Sequence, residues 1–124
     1  VPYKYCYITN QETLGEAQSR LCELKDELPR SLMAADIHEL VKANEALNLL
    51  EIASAIIACA LFRKESRGWR FRKAFPLTDN ANWLKWILVQ KVDDQTKIWV
   101  ERVPTPYVQP PQEEYSPIPG IKLS

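Results

Sequence analysis

The chain has 124 residues, one domain by size with room for one modest core. Sixteen basic and sixteen acidic residues cancel, so no global field draws it to nucleic acid or to a charged membrane surface. Apolar content of 46% and charged content of 26% are those of an ordinary globular protein.

The three cysteines, Cys6, Cys22 and Cys59, are odd in number and widely spaced, which is no disulfide framework. Cys22 and Cys59 fall in apolar helical patterns and read as small core residues. The one histidine, His38, has no companion ligand at metal spacing, so no metal site is expected and a cytosolic compartment is favoured. No apolar run reaches the roughly 18 to 20 residues of a membrane span, and direct membrane insertion is not expected. Residues 1–8 lack the basic-then-apolar order of a signal peptide. The first residue is not methionine, so the chain is expected to be processed or excised from a longer polypeptide.

In chain order, residues 1–9 read as an extended lead-in. Thr9 or Asn10 can cap a first helix, and Thr9 with Glu12 has capping-box spacing. Leu14, Ala17, Leu21, Leu24 and Leu28 step by three and four onto one helix face, and Pro29 is expected to end that helix. A second helical region runs from about residue 32 to 64. Asn44 and Asn48 are weak helix formers, so a break is expected at residues 46–48, giving two helices. The later one, residues 49–62, is apolar almost all round and is expected to be the most buried.

The segment Arg63-Lys64-Glu65-Ser66-Arg67-Gly68 reads as a helix stop, with a cationic last turn and a left-handed glycine at its end. Trp69-Arg70-Phe71-Arg72-Lys73-Ala74-Phe75-Pro76 interleaves aromatics with cations, a pattern that can bind bases and phosphates. An irregular packed loop explains it more economically in a chain of even charge, and no nucleic acid partner is expected. Residues 84–92 and 97–103 are rich in tryptophan and β-branched residues around a turn-like Asp93-Asp94-Gln95-Thr96, which predicts a β-hairpin with a loop longer than the tightest class. From residue 104 onward lie six of the nine prolines, an extended tail. The predicted fold is therefore mainly α: a three-helix antiparallel bundle followed by a β-hairpin and an extended proline-rich tail, with residues 1–103 as the domain and 104–124 as the tail.

Little chemistry is visible. No glycine-rich nucleotide loop and no serine–histidine–carboxylate set are present. Arg67 beside Glu65 can form an ion pair or bind an anion, and pairing that orders the loop is the favoured role.

Arg63-Lys64-Glu65-Ser66-Arg67-Gly68, followed by Arg72, Phe75-Pro76, Asp79 and Asn82-Trp83-Leu84-Lys85, resembles the C-terminal domain of the succinate dehydrogenase and fumarate reductase flavoprotein family. L-aspartate oxidase and the adenylylsulfate reductase flavoprotein share that superfamily. The resemblance spans roughly residues 11 to 103. It implies a helical domain that buttresses a flavin-binding body and helps form subunit contacts, with FAD held by the parent flavoprotein, not by this chain. It implies no catalytic residue here. Packing roles against that body carry over to Glu65, Ser66, Arg67, Gly68 and Arg72, with Trp69 and Arg70 in the same loop, and to Asn82 and Trp83 at the hairpin entry. The implied partners are the flavin-binding body and, further, an iron–sulfur subunit. The implied location is cytoplasmic, peripheral at the inner face of the membrane through partners.

The pattern departs from that of succinate- and fumarate-active relatives. Trp69 stands in an alanine place, Arg70 in a histidine place and Ala74 in an aspartate place, while Thr96-Lys97-Ile98-Trp99 is closer to adenylylsulfate reductase. The parent's substrate stays open on these residues. A stand-alone interaction module, docking through the aromatic-basic loop and the tail, is the alternative class. Trp69, Phe71, Trp83, Trp86 and Trp99 are too many for this core to bury together, so self-association of the isolated chain is expected.

Overall fold

The computed structural model describes residues 7–93 and 95–118. Expectations for the first six residues, Cys6 among them, and for the last six lie outside it.

Helix α1 (Gln11–Ser31) begins where Asn10 leaves helical space and its Oδ1 accepts the Thr13 N–H at 2.7 Å. Thr13 Oγ1 accepts the Asn10 N–H in return at 3.2 Å. The capping box is thus Asn10 with Thr13, not Thr9 with Glu12, because Thr9 is committed to a strand. Pro29 does not end the helix. It sits in the last turn, where only one intrahelical bond is forfeited, and the Leu32 N–H still reaches the Leu28 carbonyl at 2.9 Å.

Helix α2 (Ile37–Phe62) starts at an Asp36 cap, whose Oδ1 accepts the Glu39 N–H at 2.8 Å. It runs unbroken for 26 residues, so the break expected at residues 46–48 is absent. Asn44 is accommodated by donating from Nδ2 to the Leu40 carbonyl one turn back, at 3.1 Å. Instead of a three-helix bundle, α1 and α2 form one long antiparallel helical hairpin. Leu14 meets Ile57 and Ala60 near one end, and Lys25 Nζ meets Glu51 Oε2 at 3.0 Å further along. The core is Leu14, Ile57 and Ala60, flanked by Ala17, Leu21 and Leu61.

Among the described residues, an apolar side of α2 stays uncovered. Leu49, Ile52 and Ile56 are exposed at 64%, 56% and 43%, although residues 49–62 were expected to be the most buried helix. Cys22 is exposed and Cys59 half-buried, so neither is a core residue. By length and composition alone α2 is also long and apolar enough to cross a bilayer, which corrects the expectation that no segment reaches that size. Glu51 at its middle is held by Lys25 from α1 and by Lys91 Nζ, at 3.1 Å, from the β-hairpin.

Strand β1 (Ile8–Thr9) pairs in parallel with β2 (Phe71–Arg72), tying the residues before α1 to those after α2. A single-turn helix, α3 (Asn80–Trp83), then leads into the antiparallel pair β3 (Lys85–Val92) and β4 (Gln95–Arg102). Val92 pairs with Gln95, so the connection is of the two-residue class, tighter than expected, with Asp93 in the left-handed region at φ 48°. Beyond β4 the chain returns to pair Tyr115 with Thr78 through backbone bonds of 2.8 and 3.2 Å.

Candidate functional site

The residues singled out in the sequence all lie between α2 and β3. Arg63 takes extended angles (φ −76°, ψ 124°), so α2 stops at Phe62 and Gly68 is not its terminator. Gly68 has φ +61° and opens a tight turn whose ends, Arg67 and Arg70, exchange backbone bonds of 3.1 and 3.2 Å. A left-handed first central residue followed by a residue of negative φ, here Trp69, is the II′ geometry that favours glycine.

The last turn of α2 holds no basic residue; the cation at its negative end is Arg72, delivered by β2. Arg72 is 1% exposed. Its Nη1 donates to the carbonyls of Ala60 and of Arg63, the latter at 2.9 Å, and Nη2 donates to Gln11 Oε1 at 3.2 Å. Its Nε is buried with no hydrogen-bond partner among the described residues. The guanidinium lies over the Phe75 ring, 5.5 Å from the centroid. Burial, and then the nearby Arg70 charge, lower its pKa from the ordinary arginine value.

Ser66 is wholly buried and bonded at every polar atom. Its Oγ accepts the Arg72 N–H at 2.8 Å and donates to the Phe75 carbonyl at 2.7 Å. Its N–H donates to the Leu77 carbonyl at 3.0 Å, and its carbonyl accepts from Thr78 Oγ1 at 2.6 Å. Glu65, 1% exposed, accepts from Arg63 Nη1, from Arg67 Nε and Nη2 at 2.7 and 3.0 Å, and from the Asp79 N–H at 3.0 Å. The favoured Arg67–Glu65 pair is therefore present and forked. Arg63 carries the network onward to the Trp83 and Lys85 carbonyls at 2.9 and 2.8 Å. Arg67 Nη2 carries it to Asn80 Oδ1 at 2.7 Å, and Asn80 Nδ2 to the Pro111 carbonyl at 2.9 Å. Each buried charge here keeps its stabilising effect only while its partners stay in place.

Glu65, Ser66, Arg67 and Arg72 thus form one buried network. Asn82 and Trp83 sit at its margin: Asp79 Oδ1 accepts the Asn82 N–H at 2.9 Å, and the Trp83 ring meets Phe62 edge-on at 6.0 Å. Gly68, Trp69 and Arg70 lie outside it on the turn. Trp69 is 62% exposed, with Tyr7 edge-on at 5.3 Å and the Arg70 guanidinium 5.3 Å from its ring centroid. Sequence reasoning missed Gln11, Thr78 and Asn80, and gave Thr9 a capping role where the structure pairs it with Arg72 in β2. Only Asp79, three residues before Asn82, carried a local signal, that of a helix cap.

Beside the network an open groove of about 760 Å³ runs between α2 and β3. Ile56, Cys59, Trp69 and Trp86 supply apolar walls; Arg63, Arg67, Arg70 and Lys85 supply charge. Burial raises the pKa of the Cys59 thiol, against the opposing pull of Arg70 and Arg63. Among the described residues no cluster of histidine, cysteine and carboxylates could hold a metal. Gly15 lies inside α1 and Gly68 in the tight turn, so these residues do not build the glycine-rich cradle that a flavin's phosphates need.

A helical hairpin and a β-hairpin, joined by a buried polar loop with a groove beside it, define a mainly α domain. A family model described as the fumarate reductase flavoprotein C-terminal domain matches residues 3–115, and the chain belongs to that family. The match reaches past the motif-bearing stretch at both ends, into β1 and to the Tyr115 pairing.

Proposed function

We propose that this domain buttresses the flavin-binding body of an FAD-dependent oxidoreductase of the fumarate reductase and succinate dehydrogenase type and helps form its subunit contacts. FAD belongs to the body, and the domain is not catalytic alone. The observation that carries this reading is the uncovered apolar side of α2, continuous with Trp69 and Trp86 at the groove, in a chain whose polar network faces inward. A contiguous surface of that kind, with tryptophan and arginine together, has the composition of an interface. An iron–sulfur subunit is a further partner in the same proposal, and the location is cytoplasmic, peripheral at the membrane through partners. The test is reconstitution. A flavoprotein body lacking this domain is expected to bind the 124-residue chain as a single species on gel filtration and to gain thermal stability and flavin retention. The isolated chain is expected to be colourless; a flavin band stoichiometric with the chain, or no association with the body, overturns the reading.

A further inference from the structure

The hairpin register decides which backbone groups of β3 face away from β4. Val92 pairs with Gln95 across the tight turn, and the Leu84 carbonyl accepts the Val103 N–H at 3.2 Å, so even-numbered residues exchange bonds with β4. Lys85, Ile87 and Val89 therefore turn their N–H and C=O groups to the opposite edge. The Lys85 carbonyl is taken by Arg63 Nη2 at 2.8 Å. Among the described residues no third strand covers this edge. The edge forms one wall of the groove, and α2 forms the other through Ile56 and Cys59. Four cationic side chains line the groove, Arg63, Arg67, Arg70 and Lys85, and among the described residues no carboxylate lines it. The Glu65 carboxylate meets Arg63 and Arg67 from the buried side.

We propose that the groove receives an extended, acidic segment of the flavin-binding body, which adds a third strand to the outer edge of β3 by pairing with Ile87 and Val89. This rests on the docking reading above and specifies its chemistry. A helix, about 10 Å across, would leave the Ile87 and Val89 backbone groups unpaired, whereas a strand satisfies them at about 4.8 Å spacing. Alternate side chains of the added strand enter against Ile56 and Cys59, and its carboxylates face Arg67, Arg70 and Lys85, a division of labour between backbone and side chains common to strand addition.

The test titrates the isotope-labelled 124-residue chain, to millimolar concentration, with a blocked hexapeptide of alternating valine and glutamate, and with its valine–lysine counterpart. The glutamate peptide is expected to shift the Ile87 and Val89 amide signals and slow their hydrogen exchange. It should bind about tenfold or more tightly than the lysine peptide, with the difference shrinking at about 0.5 M salt. Lys85→Glu combined with Arg70→Glu is expected to reverse the preference. Equal binding of both peptides, changes confined to the outer edge of β4, or no change at millimolar peptide overturns the proposal. If the body binds the chain while Ile87 and Val89 exchange at unchanged rates, docking stands and strand addition fails. If the body does not bind at all, the docking reading itself fails.

Discussion

Replacing Arg72 by methionine is expected to cost about 3 kcal/mol of folding stability. The guanidinium donates to the Ala60 and Arg63 carbonyls and to Gln11 Oε1, and its loss leaves these acceptors unsatisfied at about 1 to 3 kcal/mol each where they are buried. Methionine keeps most of the aliphatic stem, so the residual cavity is small, but it leaves the α2 carbonyls without a donor. Against this loss stands a buried cation that, among the described residues, no carboxylate pairs, and removing it returns several kcal/mol of desolvation. The balance is a loss of about 3 kcal/mol, a large part of the roughly 5 to 15 kcal/mol a domain has. Arg72→Lys keeps the charge but cannot span both carbonyls and Gln11, so about half that loss is expected. Urea unfolding followed by far-ultraviolet circular dichroism reads these values, and the thermal midpoint of Arg72→Met should fall by about 10 °C. If Arg72→Met is as stable as the parent or more so, desolvation outweighs capping and the assignment of Arg72 as the helix-end cation is refuted.

Gly68→Ala is expected to cost about 1 kcal/mol with no steric clash, because nothing lies within 4 Å of the added methyl and the penalty is that of φ +61° alone; an unchanged melting temperature would show that the turn is not restrained. Neighbouring residues on α2 should behave oppositely: Ile57→Asp places an unpaired charge in the core and unfolds the chain, whereas Ile56→Asp, 43% exposed, leaves the melting temperature within a few degrees and weakens self-association. Comparable melting of the two variants contradicts the assigned faces. Hydrogen bonds from Lys25 and then Lys91 hold the Glu51 carboxyl below its ordinary pKa. A depressed folded-state pKa contributes stability above the unfolded value that is lost as pH falls through the folded one, so a small, salt-sensitive loss is expected below about pH 4.5. Its size is only a few tenths of a kcal/mol for so exposed a pair, and Glu51→Gln should abolish it; an acid limb unchanged in Glu51→Gln would assign the loss elsewhere.

The sequence alone determined what is periodic or local. The leucine stripe of α1, the hairpin with its tryptophans, and the Arg67–Glu65 fork each depend on residues close in the chain, where spacing limits the geometry to few choices. It also contained the motif by which the family is recognisable. Other features misled because their outcome is set at a distance. Asn44 looks like a helix breaker until its side chain is seen bonded within an unbroken α2. Gly68 looks like a helix terminator until Arg63, drawn to the Trp83 and Lys85 carbonyls, ends the helix five residues earlier. The apolar circumference of residues 49–62 did not reveal which of its sides the described residues leave exposed. Tertiary structure alone decided which arginine serves the end of α2. Arg72 reaches it because β2 pairs with β1 and lies across the helix terminus, and a charge-assisted bond is worth making wherever the fold brings donor and acceptor together, whatever their separation along the chain.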